Sequence, residues 1–455
     1  MIGAQTIGNA TLIAYDDSRP ILSTDPWLGS TDFAYFGSWS LNYEIPDNLK
    51  KDILNSKYIF FSHGHPDHLN PDSLHNFKNS KIIIGDHLGK RIFSELTEQG
   101  FNVSILQEKK WINLSKNISI ISLSTKIQDT ILLIKIKNDI FINLNDAGPQ
   151  YVKFIKKINK SFKRRFLLSI SGWGDADMIN FFDKDNNFIE PLAARKHPVG
   201  DYLSILAKSI NANFVVPFSS FHEYQREDSV WTNKYVTPIE EYSNGFHKDL
   251  NFVEPFSFIN CEKDDDIKKT IVKKSAILIK KPKEFNDNWS DVLEKDDQKI
   301  VSDYFSKFKE LENKIGFINL IVGKKELNLK FKGPTNKGIS FEVPRNSLVT
   351  ACKYNVFDDL LIGNFMKTKL YNLKSLYDPN FDFNTVICKI GDNGLAYTEE
   401  EVNIYLSEYK KRLGIEYFYD LFANKSKNYF KFFLKNYADS KYYTKFRKIY
   451  YYLFK

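Results

Sequence analysis

The sequence predicts an α/β protein of stacked sheets with helices outside, followed by a smaller α+β unit. Three observations carry this. Short apolar runs recur through residues 1–260, with helix-like segments between only some of them. That spacing suits stacked sheets better than strict βαβ alternation. One run, Tyr58-Ile59-Phe60-Phe61-Ser62, leads directly into His63-Gly64-His65-Pro66-Asp67-His68. A second set of β-like runs begins at Phe317, after the charge-rich stretch 262–312.

The elements follow in order. Ala10 to Tyr15 and Ile21 to Asp25 are apolar runs joined by Asp16-Asp17-Ser18-Arg19-Pro20, a hairpin signal. Residues 30–50 read as an aromatic loop containing Phe33, Tyr35, Phe36 and Trp39. After strand 58–62, Asp72 begins a short helix to Phe77, with His75 on its surface. Lys81 to Gly85 reads as a buried strand, and Lys90 to Glu98 as a helix stopped at Gly100. Strands are predicted at 103–106, 118–123, 131–136 and 140–144, the last two joined by Lys137-Asn138-Asp139. The rest of this layer spans 165–260, with strands at 166–170 and 214–217. The predicted organisation is therefore 1–260, a charged connecting region at 261–312, and 313–455. The last unit has strands at 317–322, 327–331 and 339–343, and a helical or mixed segment at 349–370. Its basic aromatic tail, 425–455, is expected to pack on the body as a helix rather than lie on a membrane.

The chain has 455 residues, 42% hydrophobic and 26% charged, enough for two or three cores. Three cysteines, Cys261, Cys352 and Cys388, have no motif spacing and exclude a disulfide framework. The first residues lack a basic and apolar leader, and no run of apolar residues is long enough to span a bilayer, so the expected location is cytoplasmic. The net charge of +8 comes from scattered lysines and does not indicate nucleic acid. A small-molecule substrate is the expected partner.

Four of the eight histidines lie between 63 and 75. Gly64 and Pro66 let the turn fold back, so His63, His65, Asp67 and His68 can converge. Neutral imidazole and carboxylate are ligands for zinc and iron. Such a turn needs a further carboxylate to bridge two ions. Asp146, at the end of the apolar run Ile140 to Leu144, is the candidate, with a turn-capping role as its alternative.

The His-x-His-x-Asp-His turn with a later strand-end Asp resembles the metallo-β-lactamase fold superfamily. The resemblance implies an αββα sandwich with a metal centre at the edge between two sheets. It implies that His63 and His65 serve one metal, Asp67 and His68 the other, and that Asp146 bridges. The early Asp25-Pro26 resembles the family's strand-end pair, which makes Asp25 a support for the turn. A further family histidine has no counterpart in 121–130, where Asp129 is the nearest replacement. More oxygen in the donor set favours iron or manganese over zinc. His222 is expected as the last ligand. Trp173 and Asp175, in a glycine-rich stretch, and His197 are candidates for the pocket.

Ser62 to Leu69, Asp129-Thr130, Pro217-Phe218 and Phe357 to Phe365 also resemble the non-Rieske portion of the CMP-N-acetylneuraminate hydroxylases. Two activities follow as expectations. The first is a metal-dependent hydrolase acting on a phosphoester, a lactone or an activated sugar. There one or two ions lower the pKa of water from ~15.7 to ~7, and Asp67 orients the hydroxide. The second is an iron-dependent oxygenase acting on a nucleotide sugar, with electrons from a separate ferredoxin. Residues 313–455 carry no catalytic motif and are expected to cover the pocket or form a homodimer contact, with Arg345, Asp358 and Asp359 as polar positions to watch.

Overall fold

Residues Asp17 and Ser18 both adopt left-handed backbone, at φ 53° and 59°. That geometry matches the twist of the strands they join, Thr11–Asp16 and Arg19–Thr24. In this computed structural model, described for residues 1–417 except 30, 173–177 and 379–380, the hairpin sits inside an eight-stranded sheet. The order is Ile267–Lys269, Ser257–Asn260, Gly3–Ile7, Thr11–Asp16, Arg19–Thr24, Tyr58–Phe61, Lys81–Ile84, Asn102–Ile105. A seven-stranded sheet runs Asn251–Phe252, Phe214–Ser219, Arg164–Ile170, Asp139–Asn145, Thr130–Ile136, Ile118–Ser124, Ile112–Asn113.

Apolar residues occupy both faces of these strands because each sheet is covered twice. Leu12, Leu22 and Phe60 meet Leu132, Phe141 and Phe166 between the sheets. Ile53 and Leu96, from helices Asp47–Leu54 and Arg91–Glu98, cover one outer face. Ile155 and Leu203, from helices Val152–Asn159 and Val199–Ser209, cover the other. The result is the expected layering of helix, sheet, sheet and helix.

A five-stranded sheet follows: Phe181–Phe182, Lys367–Tyr371, Gly338–Glu342, Phe317–Val322, Lys325–Lys330. Helices Lys295–Ser306, Arg345–Tyr354 and Phe357–Gly363 bury Phe305, Leu348 and Leu360 against it in a separate core. Each such side chain contributes roughly 1.5–3 kcal/mol. Two segments tie the units together. Phe181–Phe182, from the first stretch, pairs in parallel with Lys367–Tyr371. The charged stretch 261–312 supplies both the edge strand Ile267–Lys269 of the first sheet and the helix Lys295–Ser306 of the last core. The tail 425–455 lies outside the described residues. No helix among the described residues is long and apolar enough to cross a membrane.

Candidate metal centre

Strands Arg19–Thr24, Tyr58–Phe61 and Lys81–Ile84 run parallel, as do Asp139–Asn145, Arg164–Ile170 and Phe214–Ser219 in the other sheet. Chemistry-bearing residues follow their carboxyl ends: Asp25, the 63–68 turn, Asp146 and His222. The strand-end placement matches the general location of ligand sites in open α/β sheets. The turn closes when the His68 and Leu69 amides both donate to the His65 carbonyl, at 3.0 and 2.8 Å. A register shift between Asn143 and Asn145 turns the chain at Asp146.

The imidazoles then face one another. His63 Nε2 and His65 Nδ1 are 2.9 Å apart. Two nitrogens bound side by side to one ion at ~2.1 Å would be separated by about 3 Å. Asp146 Oδ2 lies 3.9 Å from His63 Nε2 and 3.6 Å from His68 Nε2. One donor atom from each of His63, His68 and Asp146 falls within 4.8 Å of the other two. Asp67 Oδ2 is 3.2 Å from His68 Nε2.

The surroundings set these side chains. Asp25 is fully buried. It accepts the Ser62 amide at 2.7 Å and the Asn145 side chain at 2.8 Å, and its Oδ2 lies 3.4 Å from His68 Nδ1. It therefore supports the turn and His68 from behind. Tyr35 donates to Asp67 Oδ1 at 2.5 Å and Asn9 to Oδ2 at 3.1 Å. Asn9 also accepts the Phe221 amide at 3.1 Å, linking Asp67 to the segment that carries His222.

Charge states favour ligation. Burial, then the neighbouring His68 and His65, hold His63 well below the ordinary imidazole range, so the ring is neutral and one of its nitrogens keeps a lone pair. Burial opposes ionisation of Asp67, but the charge of His68 outweighs it and keeps the carboxyl below its usual range. Burial likewise opposes the charge of His68, and Asp67 and Asp146 raise it above the imidazole range. A metal would replace that proton.

His222 is fully buried and stacked on Trp39, with ring centroids 3.4 Å apart and planes 7° from parallel. Among the described residues, neither of its ring nitrogens has a hydrogen-bond partner, and Asp146 Oδ1 has none either. Buried nitrogen and oxygen atoms without partners are costly unless something else satisfies them. The donor set fits transition-metal binding on these grounds.

Asp129 is placed differently from a simple replacement ligand. It is buried, with its Oδ1 4.0 Å from His63 Nδ1, on the far side of the ring from Asp146. Ser62 Oγ bonds that same nitrogen at 2.9 Å. Burial pushes the Asp129 carboxyl up to about 6. His197 is exposed, just ahead of helix Val199–Ser209. Trp173 and Asp175 fall outside the described residues. Sequence reasoning missed His87, a buried ring bonded to Thr130 Oγ1 at 2.7 Å and the Tyr409 hydroxyl at 3.1 Å. Its signal was its position just after strand Lys81–Ile84, beside the strand that leads into the turn. Tyr35, Asn9, Asn145 and Lys389 were also missed, because only folding brings them to the turn.

A cleft of about 610 Å³ opens beside the turn, between the sandwich and the last unit. Phe33, Tyr35, Phe36, Phe285, Arg91 and Asp359 line it, with Gly64 and Pro66 on the turn side. Burial pushes the Asp359 carboxyl up to about 7.

No family model matches the chain. The cytidine monophosphate-N-acetylneuraminic acid hydroxylase of Asterias rubens is 29% identical over 137 residues, covering 28% of this chain and 20% of that protein. A putative Rieske 2Fe-2S iron-sulfur protein of Mycobacterium tuberculosis is 27% identical over 159 residues, covering 32% of this chain and 30% of that protein. The match thus spans less than a third of either relative. Among solved structures, Igni18, a metallo hydrolase of Ignicoccus hospitalis, is 14% identical with a TM-score of 0.36, covering 57% of this chain and 97% of that one. CmlA, a diiron β-hydroxylase of Streptomyces venezuelae, is 12% identical with a TM-score of 0.32, covering 51% of this chain and 46% of that one. The metallo-β-lactamase fold protein YhfI of Bacillus subtilis is 11% identical with a TM-score of 0.33, covering 60% of this chain and 97% of that one. The structural neighbours are metallo-β-lactamase-fold proteins, and metallo hydrolases and a diiron hydroxylase are both among them.

Proposed function

We propose that this chain is a metal-dependent oxidoreductase, an iron-dependent hydroxylase acting on a small, sugar- or nucleotide-bearing substrate. The observation that carries metal dependence is the meeting of His63, His65, His68, Asp67 and Asp146 at one strand-end pocket. Hydroxylation rather than hydrolysis is supported by the names of the sequence relatives. It is also supported by the carboxylates around the centre, since oxygen donors suit iron better than zinc.

His63, His65, Asp67, His68, His222 and Asp146 would hold the metal. When bound, iron would supply the redox chemistry that these side chains lack, with electrons from a separate ferredoxin-type donor. The chain's own residues prepare the site. Tyr35 and Asn9 hold Asp67 in its anionic form. Asp25 and Asn145 brace His68. Asp146 keeps about a quarter of its side-chain surface exposed, so a substrate can approach from its side. The neighbouring cleft offers aromatic walls and the carboxyl groups of Asp72, Glu95, Glu284 and Asp359 for the non-reacting part of the substrate.

Hydrolysis is the second reading. Igni18 is a metallo hydrolase, and a zinc-loaded site with the same donors would activate water. The test is the metal content of protein purified without added metal, paired with oxygen uptake in the presence of a reduced ferredoxin. Iron with oxygen uptake lost in His65→Ala supports hydroxylation. Zinc with no oxygen uptake overturns it in favour of hydrolysis.

A further inference from the structure

The helix Phe357–Gly363 belongs to the last unit, yet its Asp358 reaches the metal turn. Asp358 Oδ2 lies 2.9 Å from His65 Nε2. Lys389 Nζ lies 2.8 Å from the same oxygen and 3.0 Å from the same nitrogen. Asp358 is buried, and neither His65 nor Lys389 exposes more than a small part of its side chain. Lys389 sits on Asn384–Asn393, a ten-residue π-helix. Such helices are rare and are frequently found at functional sites.

The three contacts cannot all be hydrogen bonds at once. His65 Nε2 either carries a proton and donates to Asp358, or carries a lone pair and accepts from Lys389. The second tautomer puts the ring proton on Nδ1 and the Nε2 lone pair against a carboxylate oxygen. It also removes the lone pair from Nδ1, the atom that faces His63 Nε2 at 2.9 Å. The first tautomer satisfies both sides. Nε2–H donates to Asp358, the Lys389 ammonium bonds the same oxygen, and Nδ1 keeps its lone pair towards the centre. Charges agree: burial opposes ionisation of Asp358, but Lys389 and His65 hold its carboxyl below the usual range. Burial opposes the charge of Lys389, and Asp358 and Asp129 keep it protonated.

We propose that Asp358, anchored by Lys389, is a positioning residue that fixes the metal-binding tautomer of His65, so the last unit completes the metal centre. This rests on His65 being a ligand. A histidine ligand commonly gives its other N–H to a carboxylate, and loss of that partner typically costs ~10–100-fold in metal affinity. Here the carboxylate lies 293 residues from the imidazole along the chain.

The test titrates zinc into the full chain against a chromophoric chelator. Asp358→Ala is expected to bind zinc ~10–100-fold more weakly than wild type. Asp358→Asn, which keeps an acceptor without the charge, is expected to lose less. Both should retain the wild-type circular dichroism spectrum. In wild-type protein labelled with ¹⁵N-histidine and loaded with zinc, His65 should show the Nε2–H tautomer, a readout that does not depend on any variant folding. An Asp358→Ala protein that is folded and binds zinc as tightly as wild type would overturn the proposal, as would an Nδ1–H tautomer at His65. A wild-type chain that binds neither zinc nor, under anaerobic conditions, ferrous iron would overturn the metal centre itself, and this role with it.

Discussion

Replacing His222 with leucine should strengthen the metal-free protein and weaken the metal-bound one. The ring is fully buried, and both of its nitrogens lack hydrogen-bond partners among the described residues. Burial lowers its pKa to about 3, so it is neutral at pH 7, with one donor and one acceptor left unmet. Leaving such groups unpaired costs about 1–3 kcal/mol. Leucine removes that cost but forfeits the stack on Trp39, worth about 0.5–1.5 kcal/mol. The metal-free His222→Leu protein should therefore be more stable by about 1 kcal/mol. Urea unfolding in excess chelator measures this. Acid should widen the gap. The unfolded ring takes up a proton near pH 6.5 that the folded ring refuses until about 3, so wild type loses stability as the pH falls through that window and the variant does not. With metal, the order should reverse. Wild type gains ~4 kcal/mol at a thousandfold excess over Kd, whereas the variant loses one ion per chain and the part of the gain that this ion supplied. A metal-free variant that is less stable than wild type, with metal stoichiometry unchanged, would refute this reasoning and make His222 a structural histidine.

Three further outcomes are expected. Asp146→Ala should purify with at most one ion per chain by elemental analysis while keeping its fold, because the carboxylate that faces both His63 and His68 is gone. Arg226→Met should cost about 3–5 kcal/mol in thermal unfolding. The buried guanidinium lies 2.8 Å from Asp287 and 2.8 Å from Asp228, and its loss strands the Asp287 carboxylate in the interior. Asp392→Asn should be more stable than wild type at pH 8 and similar to it at pH 4. Burial raises the Asp392 carboxyl to about 7, so wild-type stability is fully present below about pH 4 and falls as the pH rises to 7, by roughly 2–4 kcal/mol. An amide at 392 does not titrate, and unfolding midpoints across pH 4–8 would show the wild-type slope vanish.

The layered sandwich was legible because its signals are local. Asp17 and Ser18 mark a hairpin turn, and the run Tyr58 to Phe61 has the length and composition of a buried strand. The 63–68 turn was legible for the same reason, since its donors are separated by a few residues of chain. Asp146 could be named because a carboxylate ending an apolar strand is a pattern in itself. Asp129 shows what the sequence leaves out: its carboxylate lies 4.0 Å from His63 Nδ1, a matter of ring orientation that no sequence spacing encodes. The stretch 261–312 is a second case. Its charges read as a connection, whereas Val301, Tyr304 and Phe305 lie on one buried side of helix Lys295–Ser306 and enter the last core. Charged residues on the exposed side diluted that signal.

The last unit meets the sandwich through apolar contacts, with Ile362 in the same core as Tyr35 and Trp39 and Phe36 against Phe365, and through polar contacts. Arg91, the first residue of helix Arg91–Glu98, donates to the backbone carbonyls of Tyr354, Asn355 and Asp392. Gly89, at φ 78°, approaches the Gly394 carbonyl so closely that a β-carbon would lie 2.5 Å from its oxygen. Asn364 meets Tyr224, two residues beyond His222, at 2.9 Å. Two of the contacts fall at candidate ligands: Asp358 reaches His65, and Asn364 reaches the residue two beyond His222. Small shifts of the last unit would therefore be felt at His65 and His222 first, because rigid elements transmit displacement with little loss. The geometry couples the placement of the C-terminal helices to the shape of the candidate centre.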